Sequence, residues 1–590
     1  MADAAVASQV ELSAKEEKVL AHAQESLRPE SGRTASGGFK TKDGTFYVSK
    51  PFTTQSPRRK RKAVITFVPR KSTFDTTNES STANEFRGFF SLFWISIFIF
   101  TVRTYVRSIE THGAPLNLRF ASMFSQDAIT LALSDAVLVL STGICVPFAK
   151  VIAKGWINYY WTGLAIQHIW QTFVLAVAVK WTFDRQWPWV QSGFLTLHTL
   201  VMIMKMHSYM TVNGYLSYLN SQSQLLLDEL KEITSRVGGW DVALAQAKAR
   251  RDADAAKEDE PSTGSSTPDL RGVPGTPDGA QREVIDASVA SVLRKRLVAA
   301  QKSGNAEVVP AAPAQTIAEA LPMGKPGPHP LVDHPDAEIA SLAREYSEIE
   351  AELVSSGPEY VHWPENITFK KFAVYQLIPT LVYELEYPRT DKIRPLYVFE
   401  KTVATFGTFA LLYTITESFI LPMTPRASGQ SFARSLLDLA LPFMIAYLLL
   451  FYIIFECICN GFAELSYFAD RQFYEDWWNS TSWDEFSRKW NKPVHTFLLR
   501  HVYAESTYRV SRTSALFFTF LLSAAVHEMV MAIVTQKIRM YLFTLQLIQI
   551  PLIYVGRLPV IKRNKLLGNI VFWLGLYAGF PLLCVGYVTY

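Results

Sequence analysis

Cysteine is scarce in this chain, with four in 590 residues, at Cys145, Cys457, Cys459 and Cys584. All four fall in apolar stretches without paired or zinc-like spacing, which argues against a disulfide framework or a structural metal and leaves them as packing residues. Residues 1–40 lack any apolar core segment, so nothing there resembles a cleavable signal and membrane insertion is expected to start from an internal helix. No internal repeat is present, which weakens the reading of a transporter built from two similar halves. The net charge of +5 on 590 residues is small. No nucleic-acid partner is expected.

What is present is unevenly distributed. Residues 1–85 and 239–340 are polar, charged and rich in Pro, Gly, Ser and Ala, a composition that cannot bury enough apolar surface to offset chain entropy. The first is expected to be a disordered cytosolic N-terminal region and the second a low-complexity insert. Within the insert, "VIDASVASVLRKRL" could form a short helix. The remainder, 86–238 and 341–590, is aromatic and aliphatic.

A bilayer core needs roughly 20 mainly apolar residues per helix, and about nine such stretches occur. They lie near 88–107, 128–151, 161–182, 187–210, 400–423, 435–459, 513–535, 540–560 and 566–588. The expected fold is therefore an all-α polytopic membrane protein. The basic run at 57–62, followed by Arg70 and Lys71, places the N-terminus in the cytosol by the positive-inside rule. On that count the sequons at Asn366 and Asn479 fall in cytosolic loops and stay unmodified. The segment "LLLDELKEITS" predicts that the fourth span continues into an amphipathic helix.

Residues 460–512 are too polar to span yet loaded with aromatics. Ser482 followed by Glu485 fits a capping box that starts a helix at Trp483. Trp483, Phe486 and Trp490 then form one apolar stripe, suited to a membrane interface. Pro493 disfavours helical geometry at Lys492, so the chain should break at Asn491 before helix resumes. An amide at such a break can present a donor to a ligand, or it can be an ordinary cap. Trp477, Trp478 and Trp483 by themselves read equally as an aromatic belt.

"SAAVHEMVM", residues 523–531, puts His527 in the middle of an apolar run. An ionisable group there is expensive and faces a protein interior or a cavity. Ser523 lies one helical turn before it, where its hydroxyl could bond one ring nitrogen and leave the other free as a base; Glu528 is adjacent. The alternative is a core histidine satisfied by a neighbouring helix. A neutral imidazole can take the proton of an alcohol as its oxygen attacks an acyl carbonyl, and an amide such as Asn491 can stabilise the resulting anion. Asp135, Glu417, Asp438 and Glu456 also lie in or near spans, as buried pairs or misjudged boundaries.

"FYEDWWN" at 473–479, "WNKPVH" and "SAAVHE" occur in that order, and with them "MKMHSY", "YELEYPRT", "LLRHVY" and "GNIVFWLG". Together they resemble the membrane-bound O-acyltransferase family, in particular its acyl-CoA:sterol acyltransferases of fungal type and its type-one diacylglycerol acyltransferases. The resemblance implies a fold whose helices enclose a reaction tunnel. It implies His527 and Asn491 as catalytic residues, Phe473, Tyr474, Asp476, Trp477, Trp478 and Asn479 as the acyl-CoA-associated motif, and Ser523, Glu528 and Trp490 as supporting residues. The implied substrates are a fatty acyl-CoA and a membrane sterol of ergosterol type. The thioester is already activated, so no metal or other cofactor is expected. The implied setting is the endoplasmic reticulum membrane, as a homo-oligomer. Arg488, Lys489, Lys492, Arg500 and Lys205 are candidate partners for coenzyme A phosphates. Diacylglycerol as acceptor is the alternative within the class; a transporter or lipid-binding scaffold with a His527–Glu528 relay is the alternative outside it.

Overall fold

The computed structural model describes residues 39–41, 44–46, 67–75, 87–115, 119–258, 328–355, 361–427, 429–507, 510–556, 558 and 564–589. The basic run at 57–62 and the expected helix at 284–297 lie outside the described residues. Strands among the described residues are confined to one antiparallel hairpin, β1 (Phe39–Thr41) with β2 (Gly44–Phe46).

The rest is helical: α1 (Arg87–His112), α2 (Ala128–Ala153), α3 (Tyr159–Asp184), α4 (Trp189–Ser235), α5 (Trp240–Glu258), α6 (Ala337–Glu352) and α7 (Phe369–Leu377). Then come α8 (Pro395–Thr424), α9 (Phe432–Leu465), α10 (Trp483–Trp490), α11 (Lys492–Phe497), α12 (Arg512–Thr535), α13 (Tyr541–Gly556) and α14 (Lys565–Thr589). Each of the nine apolar stretches falls on one of these helices. Among the described residues six of them, α2, α3, α8, α9, α12 and α14, are long and apolar enough to cross a bilayer. Of the other three, α13 is apolar but only 16 residues long, and α1 and α4 are more polar. The chain is a multi-pass membrane protein, with six spans rather than nine established by length and composition.

α4 runs unbroken for 47 residues. At 1.5 Å per residue that is about 70 Å, over twice the hydrocarbon thickness. Its far end gathers part of the region expected to be a low-complexity insert. Leu230 and Ile233 of α4, Ala243 and Ala247 of α5, Leu331, and Ile339 and Ala343 of α6 form a separate buried cluster. α6 starts where the Asp336 carboxylate accepts the Glu338 N–H at 2.8 Å. Alternating Ala and charge in α5 hid this face from a compositional reading.

The main core joins α2, α4 and α9 to the aromatic loop through Met206, Tyr209, Phe455, Phe473 and Trp477. Residues 67–75, within the region expected to be disordered, lie on that core. Phe67 packs edge-on to Tyr387 at 5.4 Å, and Phe74 stacks on Trp478 at 5.7 Å. Cys145 and Cys457 are buried, and all four cysteines are free thiols. Asn366 is buried and its amide bonds Asn213 and Tyr383, which blocks its sequon sterically. Of the span carboxylates, Asp135 bonds His198, Asp438 lies 3.8 Å from Arg434, and Glu456 bonds Lys401.

Leu230→Ala should cost the outlying α4–α5–α6 cluster about 2–5 kcal/mol. The expected result is faster amide hydrogen exchange across 240–258 and 330–352 with exchange in α12 unchanged. Equal acceleration everywhere would mean that the cluster is not a separate unit.

Candidate active site

The aromatic loop begins as its sequence predicts. The Ser482 hydroxyl accepts the Glu485 N–H at 3.2 Å and α10 starts at Trp483. The reciprocal bond is shifted by one residue, because Glu485 accepts the N–H and hydroxyl of Thr481, at 2.9 and 3.1 Å. The stripe of α10 faces protein rather than lipid: Trp483 and Phe486 meet Phe572 of α14, and Trp490 stacks on Tyr447 of α9 at 4.8 Å.

Two glycines of α14, the first and last residues of "GNIVFWLG", receive this loop. A Cβ at Gly568 would lie 2.7 Å from the Thr481 carbonyl oxygen, and one at Gly575 would lie 2.6 Å from the Trp483 ring. Between them the Asn569 amide donates to the carbonyls of Trp478 and Ser480. The motif is legible because the close approach tolerates no side chain.

Asn491 stands at the break, with φ −136° and ψ 84°, between α10 and α11. Its side-chain oxygen caps α11 by accepting the Val494 N–H at 3.2 Å. It is an ordinary cap, and the capping bond uses only the oxygen. The amide nitrogen donates to no protein group recorded among the described residues. α11 continues as a wider π-helical turn, Leu498–Tyr503, a form that recurs at functional sites.

The 473–479 motif divides by burial. Phe473, Tyr474 and Trp477 are interior residues: Trp477 is enclosed by Phe451 and Trp490, and the Tyr474 hydroxyl donates to Glu456 at 2.9 Å. These three therefore hold the loop from within. Asp476, Trp478 and Asn479 remain accessible.

His527 lies on α12. Its Nδ1 is 2.7 Å from the Ser523 carbonyl oxygen and 3.4 Å from the Ser523 hydroxyl. A carbonyl only accepts, so Nδ1 carries the proton and Nε2 presents a lone pair. The expected orienting contact is thus made by the main chain of Ser523 more closely than by its hydroxyl. At about 100° per residue, Ser523 and His527 share one stripe, opposite the arc that carries the exposed Phe518, Leu522 and Ala525. Val534 belongs to the His527 stripe and meets α4, since a Cβ at Gly193 would lie 3.5 Å from it. α12 also packs against α13 and Leu498–Tyr503. The imidazole itself is exposed on this stripe.

Glu528 takes a different course from its neighbour. Buried about 100° round the helix, it accepts the backbone N–H groups of Arg539, Met540 and Phe543 and the Tyr587 hydroxyl. It fastens α12 to the start of α13 and to α14. Among the described residues no hydrogen bond joins it to His527, and none joins His527 to Asn491.

The candidate phosphate-binding cations are engaged within the protein. Lys489 bonds Asp476 and Glu485 at 2.8 and 2.7 Å, Lys492 bonds Glu475 at 2.6 Å, and Arg488 bonds Asp484 at 3.2 Å. Arg500, buried, pairs with Glu384. Lys205 is buried and donates to the carbonyls of Tyr375 and Ile378. Sequence reasoning also missed a histidine group. His207 accepts from Gln167 at 3.1 Å and lies edge-on to His501, whose Nε2 bonds Ser208 at 2.7 Å.

A family model described as MBOAT, membrane-bound O-acyltransferase family, matches residues 286–589, just over half of the chain. The chain belongs to the membrane-bound O-acyltransferase family. This acyltransferase is 32% identical over 535 residues to "Probable sterol O-acyltransferase 1" of Schizosaccharomyces pombe, covering 89% of this chain and 86% of the relative. It is 30% identical over 548 residues to "Sterol O-acyltransferase 2" of Candida albicans, covering 89% and 78%. "Diacylglycerol O-acyltransferase 1-2" of Oryza sativa subsp. japonica is 32% identical over 248 residues, covering 41% of this chain and 51% of the relative.

Burial works against the charged form of Glu485, but the Lys489 ammonium and the Thr481 donors outweigh it and hold the carboxyl below its usual value. Burial likewise disfavours the Lys489 ammonium, and Asp476 and Glu485 outweigh it and raise its value. Glu485 thus contributes stability above its unfolded value near 4.3, lost as pH falls through the lower folded one. Lys489 contributes below about 10.4, lost as pH rises through its higher folded value. Tryptophan fluorescence of the detergent-solubilised acyltransferase during thermal melting should give a melting temperature that falls on the acid side of pH 4. Lys489→Met should lessen that fall, and an unchanged acid limb would refute the pairing.

Proposed function

We propose that this enzyme transfers a long-chain fatty acyl group from acyl-CoA to the 3-hydroxyl of a sterol of ergosterol type, forming a steryl ester for storage. His527 and Asn491 are its catalytic groups. The observation that carries the chemistry is the 2.7 Å bond from Nδ1 of His527 to the Ser523 carbonyl, which leaves Nε2 as an oriented base on an accessible face of α12. Likeness to sterol O-acyltransferases over most of the chain supports the acceptor, whereas the diacylglycerol relative matches less than half of it.

The sterol hydroxyl gives its proton to Nε2 as its oxygen attacks the thioester carbonyl carbon. The oxyanion then formed takes a hydrogen bond from the Asn491 amide nitrogen, whose capping bond engages the other end of the same amide. Collapse breaks the carbon–sulfur bond, and the imidazolium returns the proton to the coenzyme A thiolate. Thioester and alcohol become ester and thiol, and the chemistry calls for no metal or redox group. The acyl thioester lies beside His527, and Asp476, Trp478 and Asn479 meet the coenzyme. The enzyme works in the endoplasmic reticulum membrane with its N-terminus cytosolic, as a homo-oligomer.

Purified enzyme given labelled oleoyl-CoA with sterol or diacylglycerol should form steryl ester; exclusive triacylglycerol formation would reverse the choice of acceptor. His527→Ala should lower turnover by about 10²–10⁴-fold with abundance and acyl-CoA binding retained. Turnover kept in that variant would remove His527 from the chemistry.

A further inference from the structure

Glu456 is fully buried in a π-helical turn of α9, Tyr452–Ile458, and the catalytic account gives it no role. Its carboxylate gathers donors from distant parts of the chain. Oε1 accepts from Lys401 of α8 at 2.7 Å. Oε2 accepts from Ser72, from the Tyr474 hydroxyl at 2.9 Å and from Asn460 at 3.3 Å.

Ser72 belongs to residues 67–75, which lie along the entry to the aromatic loop. The Arg70 N–H donates to the Ala469 carbonyl at 3.0 Å, and the Arg471 N–H donates back to the Arg70 carbonyl at 2.9 Å. The Arg70 guanidinium grips Asp470 with two bonds, 2.8 and 2.7 Å. This segment is thus a strap fixed to the loop on one side and to Glu456 on the other.

Tyr474 is tied in turn to the site. Its two neighbours bond the two flanks of Asn491: the Phe473 carbonyl accepts the Lys492 N–H at 3.1 Å, and the Glu475 N–H donates to the Lys489 carbonyl at 2.9 Å. A shift of Tyr474 therefore moves the break at which Asn491 sits. We infer that Glu456 is a positioning residue for Asn491, acting through Tyr474 and completed by the strap through Ser72. The inference rests on the catalytic role proposed for Asn491. A misplacement of about 1 Å in a catalytic group can lower turnover by about 10²-fold, so even a partial loosening is measurable in kcat.

The test uses the full chain, with steryl ester formation measured against oleoyl-CoA concentration. Tyr474→Phe and Ser72→Ala should each lower kcat about three- to tenfold while the KM for oleoyl-CoA stays within about twofold. Because both bonds end on one carboxylate, the double variant should fall no more than about twofold below the worse single one. Melting temperature and abundance show that each variant is folded. Ser72→Ala keeps the test open if Tyr474→Phe does not accumulate. Wild-type kcat in a folded variant, a rise in KM alone, or fully multiplicative losses would each overturn the inference. Failure of the catalytic reading is separate: it would show as turnover retained in Asn491→Asp, which keeps the capping oxygen and removes the amide donor.

Discussion

A carboxylate without access to water has to be enclosed by donors, and Glu456 finds its own in α8, α9, the aromatic loop and residues 67–75. Leaving out Lys401 would strand charge in a low-dielectric interior, where removing one partner of a buried ion pair typically costs several kcal/mol. The demand for complete enclosure makes these segments one unit. The same requirement recurs nearby, where Glu464 is met by Arg394 and Arg471. Two buried acids on one helix thus anchor the whole approach to the site.

Adjacent residues of α12 divide the remaining work. Glu528 uses both carboxylate oxygens to tie α12 to α13 and α14. His527 spends one nitrogen on its own helix and keeps the other available. A step of about 100° between neighbours sends one side chain to a structural seam and the other to an open face. Rigid attachment on the first side is what gives the second a fixed direction, since an imidazole on a loosely held helix would be a poor base at any protonation state.

Much of this was legible locally. The capping box, the break at Asn491 and the contact of His527 with Ser523 follow from spacing of a few residues, because helix geometry relates positions three or four apart. The strap was not legible: Arg70 and Asp470 are 400 residues apart, and no periodicity connects them. Which members of the aromatic motif are interior was not legible either: large rings beside a polar loop can form a surface or fill a core, and Phe473, Tyr474 and Trp477 are buried. The partners of Glu528 were hidden because sequence adjacency to His527 does not show the turn between neighbours. The outlying cluster on α4 escaped because Ala-rich, charged helices resemble linker composition until a partner buries one face.

The internal pairing of the loop cations has a consequence for a polyanionic substrate. Lys489, Lys492 and Arg488 are held by Asp476, Glu475 and Asp484, so their positions are set before any ligand arrives. A phosphate that displaced Asp476 from Lys489 would exchange one anion for another across a short distance. Asp476 is the exposed member of that pair and would return to water, where it is well solvated. Such an exchange changes the local field little and leaves Glu485 on Lys489, keeping α10 in place. Preorganised but exchangeable pairs therefore suit a coenzyme that must bind, react and leave in each turnover better than bare cations would. Unpaired cations this close together in sequence would repel one another and loosen the break that carries Asn491.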